Sequence, residues 1–328
     1  MDSVISASGL TKYYGDTLAV DHISFEVMAG EIFGFLGPNG AGKTTTIRML
    51  TGLAQPSEGT GKIWGYDLRK DLIRAKKVFG VVPETSNLYD ELSALDNLVF
   101  MAQLYGVPKS ERRSRAEQLL HLFGLRDKQG LRFAAFSKGM KRALTIAAAL
   151  IHGPEVLFLD EPTAGLDVMA TRRLRALIRE LSEQGITIFL TTHNLEEADM
   201  LCHRLAILVQ GKIVVTDTPE NLKGMIQEEE TSIELSLSSM PTGEAIYELQ
   251  KDGRVTRVIK RGDKLRLYGR GVSGILNTAL RFAESRGLTV VSANTIKPSL
   301  EDAFVRLTGL SREVMMAEKD GGTDDHQR

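Results

Sequence analysis

Gly37-Pro38-Asn39-Gly40-Ala41-Gly42-Lys43-Thr44 fits the spacing G-x-x-x-x-G-K-[ST], and Thr45 and Thr46 follow it. Glycines at those positions let backbone N–H groups close around phosphate oxygens, and the positive end of a helix dipole completes the cradle. Lys43 would reach the β- and γ-phosphates, and the Thr44 hydroxyl would ligand Mg²⁺. A second group of chemical residues closes the apolar run Val156-Leu157-Phe158-Leu159, where Asp160 and Glu161 stand side by side. Burying two adjacent carboxylates for stability alone is costly. Their chemistry suits metal binding through water at Asp160 and polarisation of an attacking water by Glu161 as general base. A third run, Thr187-Ile188-Phe189-Leu190-Thr191-Thr192, ends in His193. The three together predict a site for a nucleoside triphosphate.

The elements that must position these groups follow from the flanking patterns. Ile32-Phe33-Gly34-Phe35-Leu36 before the loop is short, apolar and glycine-bounded, as a buried strand is. Thr45 to Leu50 after it starts a helix. The runs ending in Glu161 and His193 read as further buried parallel strands, so their polar ends fall at the carboxyl edge of one sheet, where open α/β sheets place ligands. Val78 to Pro83 is another such strand, stopped by proline, with Glu84 at its end. Residues 4–28 alternate apolar and polar positions and predict antiparallel strands, with Tyr13-Tyr14-Gly15 at the turn. From about Ser93 to Ile151 the apolar spacing becomes helical, predicting a helical subdomain inserted into the α/β core. There Ser137 is placed as an N-cap; by itself this reads as simply a capped helix, and with Gly139 and the cations beside it also as an anion site.

Length and composition narrow the class. The 328 residues suggest two domains, and a 42% hydrophobic content is ample for a core. Lys and Arg number 41 against 42 Asp and Glu, so no global field draws the chain to nucleic acid or acidic lipid. The single cysteine, Cys202, excludes an intramolecular disulfide framework. No signal peptide and no apolar window of membrane-spanning length is evident, which predicts a soluble, cytoplasmic chain whose membrane work, if any, needs another subunit.

In order and spacing these motifs resemble the ATP-binding subunit of an ABC transporter, over roughly residues 3–225, and most closely its drug-exporter (daunorubicin-resistance-like) branch. The resemblance makes Gly37, Pro38, Asn39, Gly40, Ala41, Gly42, Lys43, Thr44 and Thr45 the Walker A loop and Val156–Glu161 the Walker B strand with its catalytic glutamate. It implies that Tyr14 stacks on adenine, that Glu84 joins Thr44 and Asp160 around Mg²⁺, and that His193 is the switch histidine. Two cassettes of this family pair head to tail, so Ser137, Gly139 and Asp167 of one chain would close on ATP held by Lys43 of the other. The partners implied are a second copy or a homologous cassette, and separately encoded multi-span permease subunits that hold the chain at the inner face of the cell membrane; no nucleic acid is expected. Two positions depart from the family pattern. Glu84 stands where glutamine is usual, and Ser137-Lys138-Gly139-Met140 stands where Ser-Gly-Gly-Gln is usual.

The fold expected is therefore an α/β P-loop NTPase core of ABC type with an antiparallel β subdomain and an inserted helical subdomain at about 87–153. A linker at 226–230, a small α+β domain of ferredoxin-like βαββαβ order at 231–310 and a disordered tail at 311–328 follow. The basic stretch from Arg254 to Arg270 reads first as a solvated sheet face, with lipid headgroups, RNA or a partner as the alternatives. Three functions compete: the ATPase of a membrane exporter, a non-transport ABC ATPase of translation or DNA repair, and a nucleotide-binding regulator without turnover. Those non-transport enzymes carry long coiled-coil insertions or two cassettes per chain, and neither is present. Lys43, Asp160, Glu161 and His193 are all in place, which argues against a dead site and favours the exporter ATPase.

Overall fold

The computed structural model describes residues 3–227, 231–251 and 253–310. Two compact units divide the chain after Thr218. The first opens with β1 (Ser3–Tyr14) and β2 (Thr17–Met28), the antiparallel pair expected, closed by the turn at Gly15. β3 (Ile32–Leu36) leads through the glycine loop into α1 (Lys43–Leu50). β4 (Glu58–Ile63) and the two-residue β5 (Tyr66–Asp67) extend the first sheet to the order β2-β1-β4-β5. After the one-turn α2 (Leu72–Ala75) comes β6 (Phe79–Val82).

α3 (Ala94–Leu104), α4 (Arg112–Leu122) and α5 (Lys138–Leu150) form the helical insertion. It has its own apolar cluster, including Leu98, Leu120, Phe133, Phe136 and Leu144. The chain then alternates through β7 (Val156–Asp160), α6 (Val168–Glu183), β8 (Thr187–Thr192), α7 (Leu195–Leu201), β9 (Arg204–Val209) and β10 (Lys212–Asp217). The second sheet runs β10-β9-β3-β8-β7-β6, parallel throughout except for the β9–β10 hairpin.

β3, β7 and β8 are buried along their whole length, which explains their unbroken apolar runs: layers cover both faces. On one face, Phe25 of β2 meets Phe33, Phe35 and Phe189 at ring-centroid separations of 4.9–5.9 Å, so the antiparallel sheet closes over the parallel one through aromatic packing. Because β3, β6, β7 and β8 are parallel, the chain leaves all four at the same edge of the sheet.

The second unit begins with α8 (Pro219–Gln227), earlier than the boundary at 225 read from the sequence. Its amphipathic turn buries Leu222 and packs against α11 (Leu300–Thr308), and this pairing across the unit moves the boundary. Helix therefore also replaces the expected linker at 226 and 227; residues 228–230 and the tail call at 311–328 lie outside the described residues. Between the two helices run β11 (Thr231–Leu237), α9 (Gly243–Lys251), β12 (Val255–Arg261), β13 (Lys264–Gly269), α10 (Val272–Ser285) and β14 (Val290–Ile296). The strands form one antiparallel sheet in the order β12-β13-β11-β14, a split βαβ arrangement.

Candidate functional site

Between β3 and α1 the loop makes two demands that glycine alone meets. Gly42 has φ 104°, in the left-handed region, and a Cβ there would lie 2.6 Å from the Ala19 carbonyl oxygen. At Gly37 a Cβ would sit 2.2 Å from the carbonyl oxygen of Leu208. With glycine at the N-cap of α1, no side chain caps the first turn, and its N–H groups are left for an anion. The Lys43 ammonium, buried, donates to the Gly37 carbonyl at 2.7 Å and to Pro38 at 3.2 Å, curling back over the loop.

The edge of the parallel sheet brings the other groups to this lysine. Glu161 Oε1 lies 3.2 Å from Lys43 Nζ, and Glu161 Oε2 lies 2.9 Å from His193 Nδ1. Burial acts to raise the Glu161 carboxyl, but the His193 hydrogen bond and the Lys43 ammonium outweigh it and hold the group below its ordinary value. The same hydrogen bond raises His193 against the opposing effect of burial. Thr44 Oγ1 donates to Asp160 Oδ1 at 3.2 Å, and Thr191 Oγ1 donates to that oxygen at 2.5 Å. Thr44 and Asp160 thus present hard oxygens side by side, a donor set that fits Mg²⁺. Among the described residues no three His, Cys, Asp or Glu cluster as a metal cage, so a cation here would take its remaining oxygens from phosphate and water.

Lys43, Thr44, Glu161 and His193 face a cleft of about 1110 Å³, large enough for a nucleotide, while Asp160 lies behind its wall. Tyr14, Pro38, Asn39, Gly40, Gly42, Lys43, Thr44, Thr45, Glu84, Glu161 and His193 line it. Tyr14 is 46% exposed, with the Lys12 ammonium 5.1 Å from its ring centroid. Ser137 and Gly139 are not on its wall. Ser137 caps α5 by accepting from the Met140 N–H at 3.4 Å, and Asp167 caps α6 by accepting from the Ala170 N–H at 2.8 Å.

A family model described as ABC transporter matches residues 20–164. The linearmycin resistance ATP-binding protein LnrL of Bacillus subtilis (strain 168) is 35% identical over 308 residues, which is 93% of this chain and 98% of that one. This chain belongs to the ABC transporter ATP-binding family. The daunorubicin/doxorubicin resistance ATP-binding protein DrrA of Streptomyces peucetius is 34% identical, covering 93% of this chain and 92% of its own. A solved ATP-binding subunit of an ABC transporter is 32% identical, with a TM-score of 0.62 over 68% of this chain and 93% of its own. The cassette is thus an ATPase coupled to transport, and nothing among these relatives supports a role in translation or DNA repair. No helix of its described residues is long and apolar enough to cross a membrane.

Several site groups escaped the sequence reading. The cations after Ser137 were expected beside an anion site, but Arg142 turns inward, 7% exposed, and donates to backbone carbonyls instead. Lys141 pairs with Asp90 at 3.1 Å and lies 4.8 Å above the Phe133 ring. Helix periodicity explains the difference: positions on the inner face of α5 meet protein, whatever their charge. Thr191 and Thr192, the polar end of a strand whose middle, Ile188 to Leu190, is apolar, were the available signal for two buried donors. Thr192 Oγ1 donates at 2.7 Å to Glu197, a carboxylate 1% exposed whose proton affinity burial raises.

Proposed function

We propose that two copies of this cassette pair head to tail around ATP and that its hydrolysis drives export through separately encoded membrane subunits. The observation that carries this reading is the convergence of Lys43, Glu161 and His193 on one cleft, with the capped N-terminus of α5 off its wall. The phosphate loop and the Ser137–Gly139 cap then serve different copies. Lys43 and the α1 N–H groups hold the β- and γ-phosphates, and Tyr14 stacks on the adenine. Thr44 and Asp160, with Glu84 on the cleft wall, would hold Mg²⁺, which would neutralise charge on the phosphates.

Triphosphate competes with Glu161 for the Lys43 ammonium, and loss of that cation raises the proton affinity of the carboxylate. Glu161 then orients a water and takes its proton as the oxygen attacks the γ-phosphorus and the bond to ADP breaks. His193, whose proton affinity is raised by its bond to Glu161, would hold the transferred phosphate. The names of the two relatives, resistance to linearmycin and to daunorubicin/doxorubicin, favour an antibiotic-like cargo recognised by the membrane subunits. We take residues up to Thr218 as the cassette and the second unit as an appended domain.

Glu161→Gln tests the assignment. With ATP it should accumulate as a dimer by size-exclusion chromatography and light scattering, turn over at least about a hundredfold more slowly, and co-purify from native membranes with a multi-span protein. A variant that hydrolyses ATP like the parent would remove Glu161 from the mechanism.

A further inference from the structure

Glu161 occupies a conformation that its residue type disfavours. Its φ is 46°, in the left-handed region, where a side chain with a Cβ sits uphill. Such a turn persists only where its surroundings fix it. The Glu161 N–H is bound by Thr191, through the hydroxyl at 3.1 Å and the carbonyl at 3.2 Å. The carbonyls before and after Glu161 are bound by one side chain. Arg142 donates from one terminal nitrogen to the Asp160 carbonyl at 2.6 Å and from Nε to the Pro162 carbonyl at 2.9 Å. Its other terminal nitrogen donates to the Pro83 carbonyl and, at 3.2 Å, to that of Glu84. One planar fork therefore spans the ends of β6 and β7 and straddles the strained residue.

The choice of arginine has a physical reason. Four carbonyl oxygens on two chain segments need a rigid, multi-donor group, which a lysine ammonium cannot imitate. Burial pulls the guanidinium down to about 10, so it stays charged at neutral pH with Asp160, Glu161, Glu84 and Glu197 around it. None of its donors reaches the cleft groups; all go to backbone. We propose that Arg142 is a positioning residue for hydrolysis, which holds the Asp160–Pro162 turn in its left-handed form and so aims the Glu161 carboxylate at the attacking water. Because Arg142 belongs to α5, the same contact fastens that turn, and the Pro83–Glu84 segment, to the helix that Ser137 caps.

This inference rests on Glu161 being the base, and a double-mutant cycle separates the two. Arg142→Lys keeps the charge and loses the fork; Arg142→Gln, neutral and still a donor, serves where the lysine variant does not fold. Steady-state ATPase is measured on the full chain, alone and in the Glu161→Gln background. A misaimed base should lower kcat between about tenfold and a hundredfold with KM for ATP little changed. The same change should cost nothing further in Glu161→Gln, where there is no base to aim. Parental kcat in both Arg142 variants, or an equal proportional loss in the two backgrounds, would reduce Arg142 to a packing role. Parental turnover in Glu161→Gln itself would instead overturn the base assignment and take this proposal with it.

Discussion

Thr191 offers a direct measure of what its buried hydroxyl contributes. Thr191 is fully buried, and its hydroxyl donates to Asp160 Oδ1 at 2.5 Å while accepting from the Glu161 N–H at 3.1 Å. Thr191→Val keeps the shape and removes the donor. Asp160 then retains only the Thr44 hydroxyl at 3.2 Å on that oxygen, and losing the shorter, charge-assisted bond costs about 2 kcal/mol. The Glu161 N–H keeps the Thr191 carbonyl at 3.2 Å, so no orphaned donor adds to the loss. Thr191→Ser is the counterpart: it keeps the hydroxyl and removes one buried methyl, at about 1 kcal/mol. The single tryptophan, Trp64, lies in the turn between β4 and β5 of the first unit, so its fluorescence follows unfolding of that unit in urea. With m near 2 kcal/mol/M, valine should lower the midpoint by about 1 M and serine by about half that. If serine proves the more damaging, the hydroxyl bond to Asp160 is not stabilising and the reasoning fails.

Folding raises the proton affinity of His193 through Glu161, so, as long as Glu161 stays ionised, their pairing stabilises the fold fully below about pH 6.5 and is lost as pH rises through the raised folded value; in acid it is lost again as Glu161, held below its ordinary value, takes up a proton. Glu161→Gln should therefore move the His193 ring titration, followed by NMR, to lower pH and shrink the loss of thermal stability above pH 6.5; an unmoved titration counts against the pair. At Gly80 a Cβ would lie 2.2 Å from the Ala149 carbonyl oxygen, pressing β6 away from α5. Gly80→Ala should cost about 1–3 kcal/mol in urea unfolding, while Gly130→Ala, with open space around it, should leave the midpoint unchanged.

The parts of the site that are local in sequence were legible there. Gly37 to Thr44 fixes a loop by its own backbone, and the glycines at 37 and 42 are required by contacts a Cβ could not make. The runs through Leu159 and Leu190 announced strands buried on both faces, and a parallel sheet places Asp160, Glu161 and His193 at one edge. The division after Thr218 was not legible there, because α8 packs against α11, a partner far along the chain.

Sequence by itself determined the glycine loop, the buried strands and the identity of the groups that end them, because these follow from patterns a few residues long. Tertiary structure alone decided which of those groups meet. Arg142 reads as one more cation on a helix, and only the fold turns it onto the carbonyls flanking Glu161. Thr191 and Glu197 gain their roles in the same way, from neighbours on other strands and helices. A buried polar side chain must find partners where the packing brings them, and one-dimensional spacing does not record which those are.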